Sequence, residues 1–315
     1  MTQRNDTIDL IKLILSIMVI GIHTKLFEHI NTTLYNVTTL GLFRISVPFF
    51  FVCSGYFFYK KIEEKRETSS YFRKLIRIYL IFEVFEILIY TAPLMLWGDK
   101  TVLDLVHSFF TTGLGGIYWY LVSLVITLVI LQPLWKKGII VPGLIVGLVL
   151  HLFMMTNDSY SFLFTGTTIQ KYAIMHTNFW KWPQAGLCSS VMFVSIGAML
   201  RKRAWHVPSI VVIMTVIFVM IEAYFCQRMN PYDGNGYLSL IIAAPLLFLW
   251  ALYHPVHINY RYCGELSLYI YMIHPFFNNI LGVAVQGTLK FVFVALGTIL
   301  LSYLIVKRKH KTKQV

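Results

Sequence analysis

Ten apolar stretches, each near the length a helix needs to cross a bilayer, follow one another along the chain: 7–26, 41–60, 77–98, 117–135, 139–155, 184–200, 208–226, 236–253, 266–285 and 290–306. A spanning helix takes about 20 such residues, because the hydrocarbon core is about 30 Å thick and each residue rises about 1.5 Å. The pattern predicts an all-α polytopic membrane bundle of ten transmembrane helices, a single domain over residues 1–315. Composition agrees: 57% of residues are hydrophobic and 13% charged, with a mean hydropathy of +0.67, whereas an ordinary globular chain is about 25% charged. So few charges cannot cover that much apolar surface in water, which excludes a secreted enzyme, a nucleic-acid module and a disordered tail. One further stretch, Asp104 to Phe110, is too short to cross and reads as a re-entrant or interfacial helix.

The 27 Lys and Arg outnumber the 14 Asp and Glu, giving +13. In a membrane protein that excess belongs in cytoplasmic loops. With both termini cytoplasmic, the basic residues gather in a loop at 60–77, at Lys136 and Lys137, at 201–203 and in a tail at 307–315; Arg4 and Arg261 fall on the same side. The outer segments carry only Lys25, Lys100, Lys171, Lys181, Arg228 and Lys290. The longest outer loop, 156–183, is rich in Asn, Tyr and Trp, which suits carbohydrate stacking or a lid, and equally an interfacial aromatic anchor. The four cysteines (Cys53, Cys188, Cys226, Cys263) lie far apart with no CxxC, so neither a zinc site nor a disulfide framework is indicated. No small-residue cleavage site follows the first apolar run, which is expected to remain as an uncleaved first span of a multi-pass plasma-membrane protein.

Ionisable side chains within the spans cost about 2.5–3.5 kcal/mol each on insertion scales, so each needs a partner, water or a job. Lys12 and His23 sit eleven residues apart in the first span. At about 100° per residue they share one helix face, about 16 Å apart along the axis. That builds one polar stripe, whose imidazole is the group able to exchange a proton near neutral pH. The plain alternatives are a snorkelling lysine and a satisfied structural histidine. Arg44 and Glu222 fall at comparable depth, as a buried ion bridge or as parts of a site. His274 lies mid-span and is followed by Pro275, whose missing N–H should loosen the helix. Glu83 and Glu86, one turn apart, read as neutralising the basic loop before them, and Ser54-Gly55 as a close helix contact. Lys74 and Arg77 share a face at the cytoplasmic boundary, suited to a polyphosphate or to anionic lipid headgroups.

These residues resemble the acyltransferase-3 family of ten-span membrane acyltransferases over nearly the whole chain. The resemblance is carried by Lys12 and His23, by FRISVPFFFVCSGYFF (Phe43 to Phe58), by Lys74 to Arg77, by IYWYLVSL (Ile117 to Leu124) and by GELSLYIYMIHPFF (Gly264 to Phe277). It implies transfer of an acyl group, often acetyl, from cytoplasmic acyl-CoA to a hydroxyl of an extracytoplasmic glycan or cell-envelope acceptor, without a metal. By position, His23 would be catalytic, Lys12 its basic partner on the donor side, and Lys74 with Arg77 the contacts to coenzyme A phosphates. Arg44 would stabilise the oxyanion, Glu222 would orient His23 or Arg44, and Ser54, Trp119, Tyr120 and His274 would line the site. The acyl arm would thread along the Lys12–His23 stripe. Two departures stand out: Lys occupies position 12 where Arg is more usual, and Lys74 replaces the first Arg of the basic-x-x-Arg element, losing bidentate phosphate recognition. The chain is also similar to the membrane half of vancomycin-resistance serine racemases, with neither a racemase domain nor an extracytoplasmic hydrolase-like domain expected beyond the basic tail. Partners implied are the bilayer and a glycan acceptor, no nucleic acid, and a homo-oligomer is compatible. The rival from another class is a small-solute carrier, for serine for example, or a flippase using the same polar cavity.

Overall fold

Side chains that are apolar all round a helix need apolar surroundings on both sides, and the computed structural model shows helices with one face packed and large apolar side chains on the other. It describes residues 5–88, 101–202, 205–230, 234–256, 262–282 and 285–311; the expectations for Arg4, Lys100, Arg203, Arg261, the tail beyond Lys311 and the outer end of the 77–98 span lie outside these. The described residues are helical with no strand. The helices are α1 (Asp6–His23), α2 (Ser46–Glu63), α3 (Ser69–Glu86), α4 (Val102–Thr111), α5 (Trp119–Lys136), α6 (Val141–Met155), α7 (Thr168–Trp180), α8 (Ser190–Leu200), α9 (Ser209–Met229), α10 (Leu240–Tyr253), α11 (Cys263–Leu281) and α12 (Gly287–Lys311). A helix thus lies on each of the ten apolar stretches. Four helical segments, Thr32–Glu63, Trp119–Lys136, Ser209–Met229 and Gly287–Lys311, are long and apolar enough to cross a membrane by length and composition. Large apolar side chains stand outward on α9 (Ile213, Phe218, Ile221) and on α12 (Phe293, Leu296, Leu300), which is how a helix surface meets lipid. The four cysteines are free and buried.

Several boundaries differ from the sequence reading. The first span ends at His23 rather than 26, because Lys25 adopts a left-handed φ of +54° and closes the helix. The second begins as a 3-10 turn, Leu42–Ile45, and becomes α-helical at Ser46 with Pro48 in its first turn, where its missing N–H costs nothing. The expected 60–77 loop is mostly helix: α2 runs to Glu63 and α3 starts at Ser69. The 156–183 segment, expected as an outer loop, carries α7 and a short helix, Ser161–Phe164, and Trp182 donates to the Gly116 carbonyl at 3.0 Å. The expected short helix is α4, closed at its start by a Thr101–Asp104 capping box.

The chain divides into two units. The first comprises Met1–Ser46, His206–Tyr224 and Leu246–Val315. Its core joins α1, α11 and α12 through Ile20, Leu266, Ile270, Val294 and Ala295. The start of α1 is tied down by Asn5, which caps Ile8 N and donates to the Leu252 carbonyl at 3.0 Å, and by Thr7, which donates to the His254 carbonyl at 2.7 Å. The second unit comprises Val47–Trp205 and Phe225–Pro245. There Gly55 and Gly197 press the backbones of α2 and α8 together: a Cβ at either would stand 2.0 Å from the Val194 carbonyl oxygen or 2.1 Å from that of Val52. The small-residue contact expected at Ser54-Gly55 is therefore real. Glu83 and Glu86 do not neutralise the basic residues before them. Both are buried, Glu83 accepting from Leu114 N at 3.0 Å and Glu86 from the Tyr118 hydroxyl at 3.4 Å.

Candidate functional site

His23 is the last helical residue of α1, and the local backbone decides where it stands. Leu26 N bonds to the Gly21 carbonyl at 2.9 Å and Lys25 N to the Ile22 carbonyl at 3.2 Å. This is the paired hydrogen bonding of a Schellman terminus, with Lys25 in the left-handed position usually held by glycine. The turn is secured further by Thr39, which donates to the Leu26 carbonyl at 2.6 Å. His23 as a residue is half-buried.

Two other elements of the first unit converge on that helix end. The 3-10 turn bearing Arg44 seats against α1 where Gly21 leaves room for the Phe43 ring; a Cβ there would lie 2.6 Å from Phe43 Cε2. On its other side Gly41 packs against Ala223 of α9, the neighbour of Glu222. The charge of Arg44 is thereby close enough to act on His23. Arg44 does not form the ion bridge with Glu222 that the sequence allowed: among the described residues it makes no ion pair or hydrogen bond, and its Nε is buried without a partner.

The third element is α11. His274 is fully buried, and its ring centroid lies 5.2 Å from that of His23, tilted by 31°. Pro275 explains its orientation. A helical residue 275 would normally donate its N–H to the carbonyl of residue 271, but proline has none. The Tyr271 carbonyl instead faces His274 Nδ1 at 2.7 Å. A carbonyl only accepts, so Nδ1 carries the proton and Nε2 keeps its lone pair. That Nε2 is buried with no hydrogen-bond partner. The helix continues to Leu281 through the proline, so the expected loosening amounts to one released carbonyl.

Lys12 stands apart from this centre. Its Nζ pairs with Asp9 Oδ1 at 3.6 Å, a partner that sequence reasoning missed although the i,i+3 spacing signalled it. Ser267 of α11 donates to the Lys12 carbonyl at 3.1 Å, and Gly264 abuts Asp9. The face of α1 between Lys12 and His23 carries Ser16 and Val19, both buried. The stripe is polar at its ends and packed between them, which corrects the expectation of an acyl arm threaded along it.

The remaining sequence-derived residues belong to the second unit. Ser54 and Tyr120 share a hydrogen bond of 3.2 Å, and the Tyr120 ring lies 4.6 Å from that of Phe51, tilted by 42°, while Phe51 also meets Trp119 at 6.3 Å. Lys74 and Arg77 stand exposed on α3, three residues apart on a continuous helix. Among the described residues no three of His, Cys, Asp and Glu are grouped to hold a metal ion.

Comparison with known proteins bears on this arrangement. No solved structure matches the chain. A serine/alanine racemase of Enterococcus gallinarum is 24% identical over 335 residues, covering 98% of this chain and 47% of that protein. An amino-acid racemase of Enterococcus faecalis is 24% identical over 341 residues, covering 99% and 47% respectively. The chain therefore spans about half the length of the curated relatives it matches. The model of the acyltransferase domain family matches residues 5–307, nearly every residue that builds both units, and the chain belongs to the acyltransferase-3 family of membrane proteins.

Proposed function

We propose that the protein is a ten-span plasma-membrane O-acyltransferase that moves an acyl group, acetyl in the simplest case, from cytoplasmic acyl-CoA to a hydroxyl of an extracytoplasmic glycan or envelope acceptor. The observation that carries this reading is the His23–His274 pair: two imidazoles 5.2 Å apart, the second buried with a fixed tautomer and an unused lone pair. In the reaction, His23 takes the proton from the acceptor hydroxyl. The oxygen attacks the thioester carbonyl, the C–S bond breaks, and coenzyme A leaves as its thiol with the proton returned from His23. General base catalysis of this kind contributes about 10²–10⁴-fold. His274 Nε2 is the acceptor that steadies the imidazolium formed in between. Arg44 supplies a fixed positive charge beside the base. Lys74 and Arg77 hold the donor's phosphates by charge-assisted hydrogen bonds.

The test is transfer of label from acetyl-CoA to envelope glycan by purified protein in liposomes. His23→Ala should reduce transfer at least about a hundredfold with unchanged protein level. Normal transfer by this variant removes His23 from the chemistry. A second reading is favoured by the racemase names of the two relatives: handling of a small amino acid such as serine as transported solute. Serine uptake into the same liposomes without acyl transfer would establish it.

A further inference from the structure

We infer that Arg44 is the anchoring point for an anionic group, a carboxylate or a phosphate, on the acceptor, so that the acceptor is a hydroxy acid or hydroxy phosphoester and not a neutral polyol. The inference rests on the acyl-transfer reading and names the substrate class of that site. A cation within the membrane region is stable only when paired, hydrated or engaged with a ligand, and Lys12 and Arg44 are treated differently. Lys12 has a carboxylate of its own helix 3.6 Å away. Arg44 has none: it forms no ion pair among the described residues, its Nε is buried without an acceptor, and Glu222, the one acid expected beside it, does not bridge to it.

The position of this charge is fixed by packing. Its 3-10 turn is held between Gly21 of α1, two residues before His23, and Ala223 of α9, which sets Arg44 at the end of α1 that carries His23. A planar fork of five N–H donors suits two oxygens of one anionic group. A ligand with an anionic oxygen group at one end and a hydroxyl at the other satisfies both residues at once, delivering the hydroxyl to the base.

The experiment uses the full chain in detergent at constant ionic strength and follows thermal unfolding. The probes are glycerate and glycerol 3-phosphate, with methyl glycerate and glycerol as neutral counterparts. At least one anion should raise the unfolding temperature of the wild-type protein, and neither neutral compound should. A response to glycerate alone identifies a carboxylate acceptor; a response to glycerol 3-phosphate alone identifies a phosphoester. Arg44→Gln should weaken the anion at least about tenfold, because a buried charge loses its partner, and Arg44→Lys should fall between. The comparison of each anion with its neutral counterpart on the wild-type protein needs no variant to fold. Equal effects of charged and neutral probes, no effect of either anion, or equal binding by Arg44→Gln would overturn the inference. Acyl transfer by the same preparation separates the two ideas: transfer with no anion preference sinks only the substrate class, and anion binding with no transfer sinks only the reaction.

Discussion

Replacing Pro275 by alanine should make the protein more stable and less active. The alanine N–H would point at the Tyr271 carbonyl, the group that now fixes His274 through a 2.7 Å bond from Nδ1. A proline inside a helix costs up to about 3 kcal/mol relative to alanine, and Pro275 sits well inside the helix that runs from Cys263 to Leu281. Thermal stability should therefore rise. For His274 the effect is opposite. A neutral hydrogen bond contributes about 1 kcal/mol net, which corresponds to a population ratio of about fivefold. A carbonyl oxygen has two lone pairs, so the new donor weakens the bond to Nδ1 without abolishing it, and fivefold is the upper bound from this bond alone. The expected result is a kcat reduced by about two- to fivefold, KM for the acyl donor unchanged, and a higher Tm. Steady-state transfer from labelled acetyl-CoA and thermal unfolding in detergent measure both. On a His274→Ala background the proline change should lower kcat no further, because the two act through one interaction. An unchanged kcat in Pro275→Ala, or a full additional loss in the double variant, would refute the tautomer argument.

Other outcomes follow from single contacts. Gly264→Ala would place a Cβ 2.4 Å from Asp9 Oδ1, so unfolding should show a loss of about 1–3 kcal/mol, relieved when Asp9 is also made glycine. Lys65 ends α2 at a left-handed φ of +51°; Lys65→Gly should gain about 1 kcal/mol in denaturant unfolding, and a loss would mean the lysine makes a contact that matters more than its backbone strain. Burial alone would raise the Glu265 carboxyl, but hydrogen bonds from Lys309 at 3.0 Å and His310 at 3.2 Å outweigh it and hold it below its ordinary 4.5. A depressed carboxylate stabilises the fold above its unfolded value and loses that effect as pH falls through the folded one. The stability difference between wild type and Glu265→Gln should accordingly persist at neutral pH and decline progressively once pH falls below 4.5; a constant difference would contradict the assignment.

Apolar stretches of spanning length were enough to mark where a helix lies among the described residues, because crossing lipid imposes length and composition directly on sequence. Helix ends were less legible. The usual stop signal is a glycine in the left-handed position, yet α1, α2 and α7 close on Lys25, Lys65 and Lys181, all at positive φ. Nothing in a lysine announces that. The basic run after Tyr59 reads as a loop on its charge, whereas lysine, arginine and glutamate are good helix formers and no glycine or proline interrupts 60–77. At the site, Lys12, His23 and the His274-Pro275 pair could be singled out from depth and residue type alone. That His23 meets His274, and that Arg44 ignores Glu222, depend on how α1, α9, α11 and a 3-10 turn pack, which no local pattern encodes.

The contrast between paired and unpaired charges also redistributes the roles implied by resemblance. Lys12 can bind a donor phosphate only by releasing Asp9 at 3.6 Å, and Gly264 and Ser267 of α11 brace that pair from the other side. Its backbone carbonyl and its Asp9 partner meet α11, so this stretch joins α1 to α11, the two helices that carry His23 and His274. Arg77, exposed on α3, can meet phosphate oxygens without dismantling a buried contact. Neutralising Lys12 should therefore act through stability and the spacing of the two histidines, and neutralising Arg77 through affinity for the donor. Charge alone does not separate the two cases; the presence or absence of a built-in counter-ion does.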